Sequence, residues 1–354
     1  MNLRFMKLVG VLLAFCFGVA SSPLPTSAQQ SAQPAAQDAA GPSEYSMPLG
    51  IALEELRYPF AVKYLPLQVE GEPVRMAYMD VLPSGAANGR TIVLLHGKNF
   101  YGEYWANTVR VLTSAGYRVV VPDQIGFGKS SKPNIPYSFD LLAQHTAQLL
   151  DALNIQRAAI VGHSMGGMLA VRFARNYPQR TTQLVLENPI GLEDYRFKVP
   201  PRTTEQWYQS ELQNTNAANI RAFLRRYFVR WQPEYERFVE VRSRIALSGE
   251  YARWAQSSAL TYQMIYQQPV RHEFPLIQAR TLLVIGQEDR TTLGRGFVSE
   301  AVLQTLGQYP QLGRAAARDI ARSRLIELRN VGHIPHLEAP EQFHSALLDF
   351  LNVP

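Results

Sequence analysis

The segment AAIVGHSMGGMLAVRFA, residues 158–174, constrains the fold more than any other part of this sequence. Its first residues are apolar without interruption, as in a strand buried on both faces, and its last residues have helical spacing. Between them, Ser164 has a glycine two positions before it and another two positions after it. In the pattern G-x-S-x-G, the serine lies on a strained strand-to-helix turn with its hydroxyl exposed above the sheet. The segment therefore predicts a strand, a sharp turn and a helix.

Strands and helices are predicted to alternate along most of the chain. The predicted strands are 91–96, 117–122, 158–162, 184–188, 281–286 and 324–329. The predicted helices lie near 103–115, 138–153, 165–176, 297–307 and 341–351. Strands that are apolar on both faces and separated by helices predict an α/β fold, with a mostly parallel central sheet covered by helices on both faces. Upstream, the alternating runs 62–70 and 73–81 predict an antiparallel pair near an edge of the sheet.

One interval, residues 190–275, has no strand pattern. It contains amphipathic stretches rich in aromatic residues and arginine, which are typical of helices with one buried face. We interpret this interval as a helical lid inserted over the sheet. It divides the predicted core into two parts, residues 49–189 and residues 276–354.

The N-terminal segment, residues 1–28, has the pattern of a secretory signal peptide. Two basic residues precede the apolar run 8–20, which is too short to span a bilayer comfortably, and small residues lead to a cleavage site after Ala28. Cleavage after Ala20 and a retained membrane anchor are the alternatives. Residues 29–48, rich in Ala, Gln and Pro, predict a flexible leader. We expect an exported protein, periplasmic or secreted, with no stable membrane anchor after cleavage.

Composition excludes several kinds of site. Cys16, the only cysteine, lies in the predicted signal peptide, so the mature chain has no disulfide or thiol-based metal site. The net charge of +6 is spread along the chain, which does not indicate a nucleic-acid partner. His333 and His336 form an H-x-x-H pair, but no third ligand stands at a supporting spacing. We therefore expect a small-molecule substrate, no metal and no cofactor; the sequence indicates no oligomeric state.

A serine hydroxyl is a weak nucleophile unless a base takes its proton and a carboxylate orients that base. Asp289 follows the fifth predicted strand of the alternating series, and His333 follows the last one in a glycine-containing loop. The order Ser164, Asp289, His333 is the one expected when the serine lies on a central strand of such a sheet. Glu288 is the alternative acid and His336 the alternative base.

Two backbone amides are candidates for an oxyanion hole. Gly97 allows a tight turn after strand 91–96, so that the N–H of Lys98 can point at the same position as the N–H of Met165. Aromatic residues of the lid and residues beside the turn predict an apolar substrate pocket. The substrate-binding candidates are Asn99, Phe100, Trp207, Trp231 and Tyr262.

From about residue 60 onward, the chain resembles the lidded serine hydrolases of the α/β-hydrolase superfamily. These include esterases, proline iminopeptidases, carbon–carbon bond hydrolases and haloperoxidase-like enzymes. The motifs that carry the resemblance are HG (96–97), PDQIGFGKS (122–130), GHSMGG (162–167), GQED (286–289) and GHIPHLEAP (332–340). The resemblance implies that Ser164 is the nucleophile, Asp289 the acid and His333 the base, with the Lys98 and Met165 amides as the oxyanion hole.

Two features depart from the commonest pattern of this family. Lys98, Asn99 and Phe100 follow HG, where family members often have a glycine or an aromatic residue. Residues 291–323 form a long segment between the acid and the last strand, and we expect this segment to contribute a wall of the pocket.

These residues predict a serine hydrolase that forms an acyl-enzyme, with a carboxylic ester bearing an apolar group as substrate. A carbon–carbon bond hydrolase or an imino- or aminopeptidase would use the same triad. Epoxide hydrolases and haloalkane dehalogenases resemble this fold but carry aspartate at the position of Ser164, which disfavours both. A non-catalytic binding protein of the same fold is the second alternative, disfavoured because all three triad positions are filled.

Overall fold

The computed structural model describes residues 45–213 and 215–353. The predicted signal peptide, and the predicted leader up to residue 44, lie outside the described residues.

The described residues form one sheet of eight strands. The strands are β1 (Val62–Val69), β2 (Glu72–Val81), β3 (Thr91–Leu95), β4 (Arg118–Pro122), β5 (Ala158–His163), β6 (Thr181–Glu187), β7 (Arg280–Gly286) and β8 (Ser323–Leu328). Their spatial order is β1-β2-β4-β3-β5-β6-β7-β8. The β1–β2 and β2–β4 pairs are antiparallel and every other neighbouring pair is parallel. The predicted mostly parallel sheet, with an antiparallel pair at its edge, is confirmed.

Helices cover both faces of this sheet. The helices are α1 (Ala106–Ser114), α2 (Phe139–Ala152), α3 (Met165–Asn176), α4 (Thr204–Gln213), α5 (Ala217–Arg225), α6 (Glu236–Ala246), α7 (Tyr251–Gln267), α8 (Glu300–Leu303), α9 (Tyr309–Asp319), α10 (Pro335–Glu338) and α11 (Pro340–Asn352). In β3, Ile92 and Leu94 pack into one hydrophobic core with residues of α1 and α11. Val93 and Leu95 pack into a second core with α2 and α3. Alternate residues of a strand point to opposite faces, so a continuous apolar run fills both cores.

The interval 190–275 between β6 and β7 contains α4 to α7, and its described residues include no strand. Within it, α4 packs against α7 and α5 against α6. Three contacts join α6 to the chain segment that precedes the sheet. Tyr45 Oη donates to Glu236 Oε1, Arg244 Nε donates to the Met47 carbonyl, and Leu49 N donates to the Arg244 carbonyl. The described end of the predicted leader is therefore bound to α6.

Several observed bounds differ slightly from the predicted ones, and two of the differences have a physical reason. β6 begins at Thr181 rather than at residue 184, because Gln183 joins the strand while its buried amide donates to the Phe350 carbonyl. The helix predicted over 297–307 is only α8, and a longer helix, α9, follows it. The buried face of α9 has few large apolar residues to indicate a helix, because small residues, Gly313 and Ala316, are buried there. A Cβ at Gly313 would lie 2.9 Å from Ile285 Cγ1.

In the described ranges, no helix is both long enough and apolar enough to cross a membrane.

Candidate active site

Ser164 lies at the turn between β5 and α3, in a backbone conformation that non-glycine residues rarely adopt. Its φ is +56° and its ψ −120°. The two neighbouring glycines are required sterically. A Cβ at Gly162 would lie 2.2 Å from the Gly166 carbonyl oxygen, and a Cβ at Gly166 would lie 2.2 Å from the Leu95 carbonyl oxygen. The G-x-S-x-G pattern therefore follows from two close approaches, that of β5 to the first turn of α3 at Gly162 and that of this turn to β3 at Gly166.

The structure brings Ser164, His333 and Asp289 together from the carboxyl ends of three parallel strands. The Ser164 hydroxyl lies 3.0 Å from His333 Nε2, and His333 Nδ1 lies 2.7 Å from Asp289 Oδ2. All three side chains are buried. With Nδ1–H donating to the carboxylate, Nε2 has its lone pair free to accept the serine proton. The geometry therefore matches an activated nucleophile, its base and the carboxylate that orients the base.

Asp289 is held by two donors besides His333. Asn188 Nδ2 donates to Oδ2 at 2.7 Å and the Thr291 backbone N–H donates to Oδ1 at 2.7 Å. Burial acts to raise the pKa of Asp289, but the attraction of His333 and the hydrogen bonds outweigh it, so the pKa lies below its usual value. Asn188 was missed by sequence reasoning. The sequence feature that could have identified Asn188 is its position as a polar residue directly after β6, because β6 is the neighbour of β5, the strand that leads to Ser164.

The two alternative residues lie elsewhere. Glu288 is exposed. His336 is buried, and it contacts other residues than the triad: its Nδ1 lies 2.9 Å from Glu187 Oε1 and its ring stacks on Trp105. Burial raises the pKa of Glu187 to about 7. The geometry favours Asp289 and His333 over these alternatives.

A chain of hydrogen bonds connects the turn after β3 with the loop that carries His333. The Gly97 N–H donates to Tyr104 Oη at 3.0 Å, and Tyr104 Oη lies 3.0 Å from His163 Nδ1. On its other side, His163 Nε2 lies 2.8 Å from the His333 carbonyl oxygen. Burial holds the pKa of His163 well below its usual value, so its ring is neutral and accepts from Tyr104 while donating to His333. The His333 N–H donates to the Tyr227 carbonyl at 2.7 Å, which adds a contact to the helical insertion, residues 190–275.

The residues of the two predicted oxyanion donors lie next to Ser164, because a Cβ at Gly97, which precedes Lys98, would lie 3.1 Å from Ser164 Cβ and Met165 directly follows Ser164. Within the described residues, neither N–H has an acceptor. Met165 is the first residue of α3, whose N-terminus adds a partial positive charge. Unpaired donors beside the nucleophile stabilise negative charge that develops on a carbonyl oxygen.

Two cavities adjoin the helical insertion. The larger, of about 390 Å³, lies between the insertion and residues 292–297. Its lining includes two of the predicted substrate-binding residues, Trp207 and Tyr262, whose rings stack at 4.9 Å. The smaller, of about 50 Å³, is lined by Lys98, Asn99 and Phe100 among others.

Two predicted substrate-binding residues have other contacts. Trp231, among the described residues, packs against Phe228 and Tyr235 and lines neither of these cavities. The Asn99 side chain is bonded at both ends, because its Nδ2 donates to Tyr227 Oη at 2.7 Å and its Oδ1 accepts from Arg242 at 3.0 Å. Asn99 thus ties the turn after β3 to the insertion.

The comparison with known families decides the classification. The family model of the α/β hydrolase fold matches residues 90–340, which include Ser164, Asp289 and His333. This chain belongs to the α/β-hydrolase family.

Three relatives illustrate the range of this family. A probable hydrolytic enzyme from Pseudomonas aeruginosa PAO1 is similar to this hydrolase with a TM-score of 0.85 and 45% identity, over 87% of this chain and 99% of that one. An enol-lactonase from Burkholderia xenovorans LB400 has a TM-score of 0.61 and 25% identity, over 81% of this chain and 99% of that one. A 2-hydroxy-6-oxononadienedioate/2-hydroxy-6-oxononatrienedioate hydrolase from Paraburkholderia phymatum is 29% identical, over 82% of this chain and 95% of its own length.

Within its described residues, this α/β hydrolase has no cluster of three or more His, Cys, Asp and Glu side chains that could hold a metal ion.

Proposed function

We propose that this protein is a serine hydrolase that acts through Ser164, His333 and Asp289. The observation that carries the proposal is the continuous hydrogen-bonded line from Ser164 Oγ through the imidazole to the Asp289 carboxylate. The strained turn at Ser164 supports it, since such strain persists where the surrounding structure holds a group for chemistry.

In the proposed reaction, His333 Nε2 takes the proton of Ser164 Oγ as the oxygen attacks a carbonyl carbon. The tetrahedral oxyanion accepts hydrogen bonds from the Lys98 and Met165 amides. His333 then protonates the leaving group, which leaves an acyl-enzyme on Ser164. A water molecule that gives its proton to His333 hydrolyses this ester and restores the serine.

The proposed substrate is a carboxylic ester with an apolar acyl or alcohol group. Three aromatic side chains of the insertion form one part of the lining of the larger cavity, beside its charged residues, and would contact an apolar group: Trp207, Phe223 and Tyr262. The relative named as an enol-lactonase is consistent with this proposal, because a lactone is a cyclic ester. We further propose that the protein is exported by the signal peptide over residues 1–28.

Cleavage of a carbon–carbon bond is the second candidate. The observation in its favour is the likeness to the Paraburkholderia phymatum enzyme, whose name describes hydrolysis of a 2-hydroxy-6-oxo dienedioate and whose alignment extends over most of both chains. The same three residues and the same amides would serve this reaction, since it also passes through attack on a carbonyl group.

The test is hydrolysis of p-nitrophenyl esters with increasing acyl length by the purified protein, beside Ser164→Ala. Turnover that shows a length optimum and disappears in Ser164→Ala is the expected result. Ester turnover that survives in Ser164→Ala contradicts the proposed nucleophile. Absent ester turnover, together with cleavage of a 2-hydroxy-6-oxo dienoate, replaces the ester proposal with the carbon–carbon one.

A further inference from the structure

Lys98 contributes a backbone amide to the proposed oxyanion hole, but its side chain has a separate environment. Nζ donates to Ser258 Oγ at 2.8 Å and lies 3.7 Å from the centroid of the Tyr262 ring. Ser258 and Tyr262 stand one turn apart on α7, so a single helix face holds the ammonium group. A hydroxyl and an aromatic face orient a cation without neutralising its charge.

No carboxylate of the described residues forms an ion pair with Lys98. The charged side chains that face it are Glu211 on α4 and Arg242 on α6. Glu211 is itself paired with Arg242, with Arg242 Nη2 donating to its Oε2 at 2.8 Å. Burial lowers the pKa of Lys98 to about 7, with Glu211 raising it and Arg242 lowering it further. A buried cation without a paired anion is unfavourable, and an anion bound beside it removes that cost.

The larger cavity shares Arg242 with the smaller cavity beside Lys98, and its charges also favour an anion. The larger cavity is lined by Arg226, Arg242 and Arg295 and by one carboxylate, Glu211. Within the described residues, Arg226 and Arg295 form no ion pair. Charges of one sign around a cavity attract ligands of the other sign and speed their entry.

The space beside Lys98 suits a small anionic group. Lys98 and Ser258 both line the smaller cavity, whose volume of about 50 Å³ exceeds what a single water molecule needs. A lysine side chain reaches at most roughly 6 Å from its Cα, so a substrate whose carbonyl is held by the Lys98 amide needs only a few further carbons to place an anion at Nζ.

We propose that Lys98 Nζ binds a carboxylate of the substrate, so that the preferred substrate is an ester with a second, anionic end a few carbons from the reacting carbonyl. This proposal rests on the proposed serine hydrolase function. It assigns to Lys98 a role in substrate choice that is distinct from that of its backbone amide.

The test compares two p-nitrophenyl esters of equal length, mono-p-nitrophenyl adipate and p-nitrophenyl hexanoate, which end in a carboxylate and in a methyl group. The quantity measured is the ratio of their kcat/KM values, in which any general effect on the triad cancels. Lys98→Met is expected to lower this ratio about tenfold to a hundredfold, because a charge-assisted bond is lost. The control Lys198→Met removes the same charge from an exposed site of the insertion, and its ratio should stay within about threefold of wild type. An unchanged ratio in Lys98→Met, or an equal fall in Lys198→Met, overturns the proposal.

The pH dependence gives a second readout. In the wild type the ratio should fall as pH rises from 6 to 8.5, because Lys98 loses its proton and with it the attraction for the carboxylate. In Lys98→Met, or in Lys98→Gln if the first variant does not fold, the ratio should be independent of pH. A wild-type ratio that does not change with pH contradicts a carboxylate at Lys98.

Failure of the proposed function is distinguishable from failure of this inference. If the wild type hydrolyses neither ester, the ester proposal is wrong, and calorimetric titration with adipate then tests the anion site alone. Binding that weakens at least tenfold in Lys98→Met and not in Lys198→Met upholds the site. Equal binding by all three proteins, or none, overturns it.

Discussion

Replacement of Asp289 by asparagine tests the predicted acid against its neighbour Glu288. The Asp289 carboxylate accepts three hydrogen bonds, two at Oδ2 from His333 and Asn188 and one at Oδ1 from the Thr291 amide. A carboxamide has one acceptor oxygen and one NH₂ group, so it cannot accept from donors on both sides. If the NH₂ faces Thr291, two donors oppose each other in a buried site. If it faces His333, the imidazole must accept at Nδ1, and Nε2 then carries the proton and cannot act as a base.

The size of the effect follows from this geometry. Loss of the negative charge beside the imidazolium, or of the correct tautomer, is expected to lower kcat/KM by about 10³ to 10⁴, which corresponds to roughly 4 to 5.5 kcal/mol of barrier. The opposed buried donors are expected to lower the free energy of unfolding by about 2 to 4 kcal/mol. Both effects come from the same set of bonds, so they should appear together.

The assay is hydrolysis of a p-nitrophenyl ester, with urea unfolding of the same preparations. Glu288→Gln is the matched control, since it makes the same chemical change on an exposed neighbour and should keep kcat/KM within about threefold. The reasoning is refuted if Asp289→Asn retains more than a tenth of the activity, or if Glu288→Gln is as severe.

Three further substitutions test the groups around the triad. Asn188→Leu removes one donor to Asp289 and should lower kcat/KM about tenfold in steady-state assays; an unchanged value contradicts the orienting role. Tyr104→Phe leaves the Gly97 N–H and His163 Nδ1 without their partner, so urea unfolding should show a loss of about 1 to 3 kcal/mol. Because the pKa of Glu187 is raised on folding, this group favours the folded state less as pH rises from about 4.5 to 7. In the wild type this effect lowers the free energy of unfolding by about 2 to 4 kcal/mol over that pH range, and in Glu187→Gln this decrease should be absent. If the free energy of unfolding of Glu187→Gln changes with pH as in the wild type, the raised pKa is not that of Glu187.

The elements that sequence reasoning placed correctly are those with a local signal. The turn around Ser164 depends on glycines within two residues of it, and the buried strands are continuous apolar runs. The order of the three polar residues along the chain follows from the order of the strands. The turn and the strands can each be read within a window of about ten residues, and the order of the triad needs only the order of those strands.

The features that sequence reasoning missed depend on contacts between distant segments. Asn188 supports Asp289 across 101 residues of sequence, and Tyr104 reaches His163 across 59. The same argument applies to Asn99, whose amide bonds to the insertion rather than remaining free for a ligand. Polar side chains acquire such partners only when the fold is formed, and no spacing rule identifies them beforehand.

The central claim is that Ser164 is an activated nucleophile. Incubation of the purified protein with a fluorophosphonate, followed by mass spectrometry of its peptides, tests this claim without knowledge of the natural substrate. The account predicts one adduct per chain, located on Ser164, that forms far more slowly in His333→Ala and is absent from Ser164→Ala. An unlabelled wild-type protein, or an adduct on a different residue, contradicts it.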